Sequence, residues 1–226
     1  MIYRRAKVER ETEQRGMENK GLFISLEGID GCGKTSVKQG LLQYFSEFPV
    51  LSIREPGGTL ISEKIREILL NEENREITAR TEAFLYAAAR SQLVEELILP
   101  ALLRGKIVLA DRYLDSTIAY QGYGRGLDLG FLTTLNQLGT SGLKPRLTLL
   151  LDIDPAEAQR RKKKDIPDRL EKEGIEFQSR VREGYLKIAR EEPERIKLLD
   201  AGKDFKEVLQ EAIKYIEDIW PAKSWP

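Results

Sequence analysis

The sequence contains no histidine, and its single cysteine is Cys32. Without histidine there can be no Ser-His-Asp or Cys-His nucleophile system, no HExxH zinc site and no two-histidine iron site. One cysteine cannot close an internal disulfide, which fits a reducing compartment. An excess of one charge is missing too, since 37 Lys and Arg face 37 Asp and Glu. That balance argues against nucleic-acid or membrane binding by bulk electrostatics and leaves only a local basic patch open. No apolar run approaches the roughly 18 residues of a membrane span, and the amino terminus has no hydrophobic signal segment. The expectation is a soluble, cytoplasmic protein with neither a nucleic-acid nor a membrane partner.

The chain has 226 residues, 41% of them hydrophobic and 33% charged. That length favours one large domain, able to bury roughly 70% of its unfolded surface. Residues 1 to 20 are dominated by charge and are read as a tail outside a domain spanning 21 to 226. From Leu22 onward, apolar runs at 22–27, 50–54, 107–111, 147–152 and 195–200 read as strands. Most are apolar on both faces, as buried parallel strands are. Segments 34–47, 62–70, 80–104, 128–138, 155–164, 174–191 and 204–219 have helical spacing. Alternation of this kind predicts an α/β fold, about five parallel strands flanked by helices in three layers, with ligands at the carboxyl ends of the strands.

The strongest motif is Gly28-Ile29-Asp30-Gly31-Cys32-Gly33-Lys34-Thr35, which matches GxxxxGK(S/T) directly after the first strand. Its glycines allow backbone amides to converge on phosphate oxygens, while the next helix presents its positive end. Lys34 is expected on the β and γ phosphates of ATP and the Thr35 hydroxyl on Mg²⁺. Ser36 completes the expected ATP-binding set. No NKxD guanine motif follows; the one Asn-Lys pair lies in the tail. A carboxylate at Asp30 would repel the nucleotide, so it is expected to face an acceptor hydroxyl group or a cation.

Three further segments fall where such a sheet would place them. Arg54-Glu55-Pro56-Gly57-Gly58-Thr59 ends the second strand. Tyr86 and Arg90, four apart, share a helix face. Asp111-Arg112-Tyr113 ends the third strand, with Ser116, Thr117, Tyr120 and Gln121 following at helical spacing. Read alone, each admits a structural role: Tyr86 as a core aromatic, Arg90 as a helix-surface ion pair, Arg112 as a salt bridge to Asp111, Asp111 as a helix cap.

Taken together, EGIDGCGKT, REPGGT, YAAARSQ, DRYLDSTIAYQG and DRLE resemble thymidylate kinase, a P-loop family that phosphorylates dTMP to dTDP; the resemblance covers about residues 21 to 219. It implies that Tyr86 stacks on thymine and that Arg90 donates to the base. Arg112 would meet the acceptor phosphate, and Asp111 would serve the magnesium and phosphate region with Thr35. Ser116, Thr117, Tyr120 and Gln121 would lie near the base and sugar, and Glu55 and Pro56 would line the acceptor pocket. A homodimer is implied as well.

A basic run, Arg160 to Lys164, precedes Asp168-Arg169-Leu170-Glu171, and a lid is expected near 156 to 171. Relatives place a catalytic cation in the phosphate loop or in the lid. Here the loop position is Gly31, so the lid must supply it, with Arg160 first and Lys164 second. Lysines stand where relatives tend to carry arginines, giving point charges in place of bidentate forks. The catalytic set is therefore Lys34, Arg112, Arg160 and Lys164, with Mg²⁺ as cofactor. Two alternatives remain: a kinase for another nucleoside monophosphate or deoxynucleoside, and a P-loop switch ATPase.

Overall fold

The structure is a computed structural model that describes residues 21–162 and 169–220. The charged tail, Lys164 and Asp168 lie outside the described residues. Five strands form one parallel sheet: β1 (Leu22–Glu27), β2 (Val50–Arg54), β3 (Ile107–Asp111), β4 (Leu147–Asp152) and β5 (Ile196–Asp200). Their order is β2-β3-β1-β4-β5. After β1 the chain first builds one half of the sheet and then crosses to the other. β1 therefore lies at the switch point, where a crevice opens beyond its carboxyl end.

Alternation along the strands sorts their side chains onto two covered faces. Leu22, Ile24, Leu26, Ile107 and Leu109 join one buried cluster, whereas Phe23, Val108 and Ala110 join another. The first face is covered by α1 (Lys34–Tyr44), α8 (Gly174–Glu191) and α9 (Phe205–Ile219). The second is covered by α3 (Ala79–Leu93) and its continuation into α4 (Leu99–Leu103). In α9 the buried residues are Val208, Ala212 and Ile216, four apart, which is the spacing of one helix face. Full burial of each large aliphatic side chain contributes about 1.5–3 kcal/mol.

The remaining helices are α2 (Leu60–Leu70), α5 (Leu114–Thr117), α6 (Leu129–Gly139) and α7 (Pro155–Arg161). Side-chain oxygens cap several starts: Thr59 accepts from the Ser62 amide, Thr78 from Thr81 and Asp154 from Ala156. The Thr59 cap starts α2 at Leu60, two residues before the expected 62. The expected continuous helix over 80–104 is interrupted, because Pro100 has no amide proton to give. A π-helical turn at Val94–Ile98 absorbs the misfit, with the Leu99 amide bonding Val94 O. A second π-helical turn, Ile118–Gly124, extends α5. It packs tightly on α8: a Cβ on Gly184 would fall 2.6 Å from the Tyr123 ring. No helix among the described residues is long and apolar enough to cross a membrane.

Candidate active site

A cavity of about 1050 Å³ opens at the carboxyl ends of the strands. The loop between β1 and α1 forms its floor, with Asp30, Gly31, Cys32, Gly33, Lys34, Thr35 and Ser36 on the lining. Gly28 and Ile29 sit behind them and offer carbonyls; Lys34 Nζ donates to both at 3.0 Å. Gly31 has φ of +84°, and a Cβ there would collide with the Ala158 carbonyl of α7. No larger side chain fits at that loop position while α7 stays in place, so the loop has no room for its own catalytic cation.

The same cavity is also lined by Glu55, Pro56, Tyr86, Arg90, Asp111, Arg112, Ser116, Thr117, Tyr120 and Gln121. Segments up to 66 residues apart in the chain therefore meet at one surface. Arg90 is no surface ion pair. Its Nε donates to Glu55 Oε2 at 2.7 Å, Nη1 to Thr117 at 3.0 Å and Asn136 at 2.7 Å, and Nη2 to the Tyr113 carbonyl at 3.1 Å. Burial pushes the Glu55 carboxyl upward against the pull of Arg90. Glu55 Oε1 is buried with no hydrogen-bond partner among the described residues.

Arg112 adopts a left-handed backbone, φ 70°, an uncommon conformation for a residue bearing a Cβ. Its guanidinium pairs with Asp30, not with the neighbouring Asp111. It also donates to Gly28 O at 2.9 Å, Tyr120 Oη at 3.0 Å and Tyr185 Oη at 3.2 Å. Burial opposes the Arg112 charge, but Tyr120, Asp30 and Tyr185 hold its pKa well above the ordinary guanidinium value. Burial likewise opposes the Asp30 charge, and Arg112, Lys34 and Lys162 overcome it, so the Asp30 carboxyl titrates at about 2. Gln121 donates to buried Glu82 at 2.9 Å, and Glu82 also receives Arg125 and Arg169.

The basic run straddles the end of α7: Arg160 and Arg161 close the helix, and Lys162 follows it with extended backbone, φ −62° and ψ 130°. Arg160 is 74% exposed and paired with Glu157 on its own helix, outside the cavity. Arg161 and Lys162 line the cavity, one turn beyond the Ala158 that packs on the loop. Arg160, expected as the first ATP contact, lies off the lining here, about 100° of helical rotation from Arg161. Arg161 is tied down by a 2.7 Å bond to the Ala201 carbonyl.

Several residues here carried no usable sequence signal. Lys203, Asp204 and Phe205, after β5, line the far end of the cavity. Glu27, fully buried at the end of β1, titrates at about 7 because burial, then Asp115, raise it against bonds from Ser116 and Tyr185 and the charge of Arg112. Thr35 and Asp111 both face the cavity with hard oxygen donors, which suit Mg²⁺. Among the described residues no cluster of three acidic or cysteine ligands occurs. Such a donor pair fits a cation whose other ligands come from phosphate and water.

Comparison with known proteins agrees with this layout. The family model described as thymidylate kinase matches residues 26–213. The thymidylate kinase of Thermoanaerobacter sp. (strain X514) is 46% identical over 200 residues, covering 88% of this chain and 98% of that protein. That of Desulforudis audaxviator (strain MP104C) is 50% identical over 188 residues, covering 81% and 85%. A crystal structure of thymidylate kinase from Ehrlichia chaffeensis superposes with a TM-score of 0.72 at 33% identity, covering 87% of this chain and 98% of its own. With a phosphate loop and a set of arginines and tyrosines lining one cavity, and likeness along nearly the whole described chain, the protein belongs to the thymidylate kinase family.

Proposed function

We propose that this chain phosphorylates dTMP to dTDP with ATP as donor. The observation that carries the reading is the convergence, on one cavity, of the phosphate loop with Lys34 and the residues Tyr86, Arg90 and Arg112. ATP lies with its triphosphate on Gly28 to Ser36 and its nucleoside toward Lys203 and Phe205. The Tyr86 ring offers a face for thymine, and Arg112, its Nη groups held by Gly28 O, Asp30, Tyr120 and Tyr185, brings positive charge to the acceptor phosphate with its Nε outside those bonds. Arg90 has five N–H donors, of which four are engaged within the protein, leaving one for a base carbonyl. Tyr120, packed against Phe177 and Tyr185, stands beside the sugar.

The acceptor phosphate is mostly dianionic near neutral pH, its second pKa being about 6. One of its oxygens forms the new bond to the γ-phosphorus as the bond to the β-bridging oxygen breaks, and ADP leaves. No strong base is needed, in keeping with a chain that lacks histidine. Lys34 and Arg112 hold the two phosphates in line and offset their repulsion, so positioning and charge carry the rate. Thr35 and Asp111 are the residues to hold Mg²⁺, which when bound neutralises charge on the β and γ phosphates. From the lid, Lys162 is the cation set to meet the transferred group, with Lys164 beyond it in sequence as a second.

The reading includes a homodimer and a cytoplasmic location. Helices α2, α3 and α6 pack side by side and leave Ile68, Phe84 and Leu138 exposed. A second copy would cover them, as light scattering of the eluted protein can test.

A coupled assay of ADP release with and without dTMP tests the activity. Release that depends on dTMP supports it, and equal release without an acceptor points to a switch ATPase and overturns it.

A further inference from the structure

Tyr185 and Glu27 do not line the cavity, yet Tyr185 bonds Arg112 at its acceptor end and Glu27 bonds Tyr185. Resting on the reading of Arg112 as the acceptor-phosphate group, we propose that Tyr185 and Glu27 are positioning residues: Glu27 anchors the hydroxyls of Tyr185 and Ser116, and these hold the Arg112 guanidinium in place. Glu27 Oε2 accepts from Ser116 at 2.6 Å and from Tyr185 at 2.8 Å, while Oε1 accepts the Tyr113 amide at 2.7 Å. Arg112 Nη1 then donates to Tyr185 Oη at 3.2 Å and, more weakly, to Ser116 Oγ at 3.4 Å.

The Tyr185 ring is 3% exposed and meets Tyr120 edge-on, centroids 6.3 Å apart. Tyr120 in turn lies under the guanidinium, 4.9 Å from its carbon. α8 thus fixes one corner of the fork, and the β1 carboxylate fixes α8. Proton counting shows how closely the three groups are bound. Ser116 and Tyr185 are themselves 2.8 Å apart, so three oxygens share three edges with only two hydroxyl protons. With Glu27 ionised its Oε2 accepts both hydroxyls and the Ser116–Tyr185 edge lacks a proton; protonation of Glu27, whose carboxyl titrates at about 7, fills that edge and turns one of the two acceptances into a donation.

A long guanidinium costs rotamer entropy to order. A hydroxyl already fixed by a buried carboxylate orders it before the substrate arrives, which lowers the cost of binding. Tyr185→Phe keeps the ring and its packing and deletes only the hydroxyl.

The test compares Tyr185→Phe, Ser116→Ala, Arg112→Ala and the double variant Tyr185→Phe/Arg112→Ala in the full chain. Steady-state kinetics and dTMP calorimetry are measured, and urea unfolding confirms folding. Tyr185→Phe is expected to raise KM for dTMP about tenfold, the size of one hydrogen bond to a charged group, with KM for ATP unchanged. In the Arg112→Ala background it should add almost nothing. If Arg112→Ala weakens dTMP while Tyr185→Phe does not, or if the two losses multiply in the double variant, the positioning role is overturned and the Arg112 reading stands. If Arg112→Ala leaves dTMP binding intact, the Arg112 reading fails and the positioning role with it. Ser116→Ala should follow Tyr185→Phe in direction; an effect on ATP alone counts against the proposal.

Discussion

Arg90 and Glu55 form a buried ion pair, Nε to Oε2 at 2.7 Å, with 2% and 4% of their side chains exposed. Removing one partner strands the other charge in a medium that cannot solvate it, which typically costs about 3–5 kcal/mol. Arg90→Ala should therefore lower stability by about that amount in urea unfolding. Arg90→Lys keeps the charge but not the planar fork, and should recover only part of the loss. A loss under about 1 kcal/mol for Arg90→Ala would show that the pair is dispensable to the fold.

Lys34 bridges the Gly28 and Ile29 carbonyls within the phosphate loop. Lys34→Ala removes a cation from the charge that develops in transfer, and turnover should fall on the order of 10²- to 10³-fold. Near-ultraviolet circular dichroism or calorimetric unfolding should show the fold intact, since the helix that follows is packed through Val37 and Leu41. Turnover within a few-fold of the parent protein would remove Lys34 from the catalytic set.

Access to the cavity separates the lid cations. Lys162→Ala should reduce kcat strongly, because Lys162 lines the cavity and a positioned cation there can be worth on the order of 10³-fold or more. Arg160→Ala should change kcat less than about twofold, since its exposed pair with Glu157 is worth little. The reverse ranking in single-turnover assays would mean that the lid closes in another rotation.

Thymine differs from uracil by one methyl group. A hydrophobic contact of that size discriminates by roughly 10- to 200-fold at most. A panel of dTMP, dUMP, UMP and dGMP should therefore rank dTMP first and dUMP within that factor. UMP should fall lower because Tyr120 crowds the sugar. A preference for dGMP would sink the assignment of Tyr86 and Arg90 to a pyrimidine.

The five strands were readable because parallel strands buried on both faces need apolar residues at every position, and LFISLE or LTLLLD satisfies that without context. The phosphate loop was equally plain, its chemistry being local. Which of Arg160, Arg161 and Lys162 lines the cavity was not, because it depends on where α7 starts, set by the Asp154 cap and Pro155, and on where it ends, at Arg161. Arg112 pairing with Asp30 joins residues 82 apart, and nearby Asp111 looked the simpler partner. Tyr185 was the least legible: on an amphipathic helix an aromatic reads as core, and only its hydroxyl, meeting a carboxylate 158 residues away, marks it otherwise.

Glu27 gives the protein a pH dependence that can be measured. Its folded carboxyl titrates at about 7, against an ordinary value of 4.5, and is surrounded by Asp115 from α5, Arg112 after β3, and Ser116 and Tyr185. A raised carboxyl pKa means that the folded state holds its proton more tightly than the unfolded chain. The stability this confers is full below about 4.5 and is lost as pH rises through about 7. Glu27→Gln cannot ionise and should lack this slope. Urea unfolding at a series of pH values between 4.5 and 8 should therefore show the parent protein losing about 1–3 kcal/mol relative to Glu27→Gln across the interval. Parallel curves would show that Glu27 is ionised throughout, and that the third edge of its hydroxyl triangle is held without a proton.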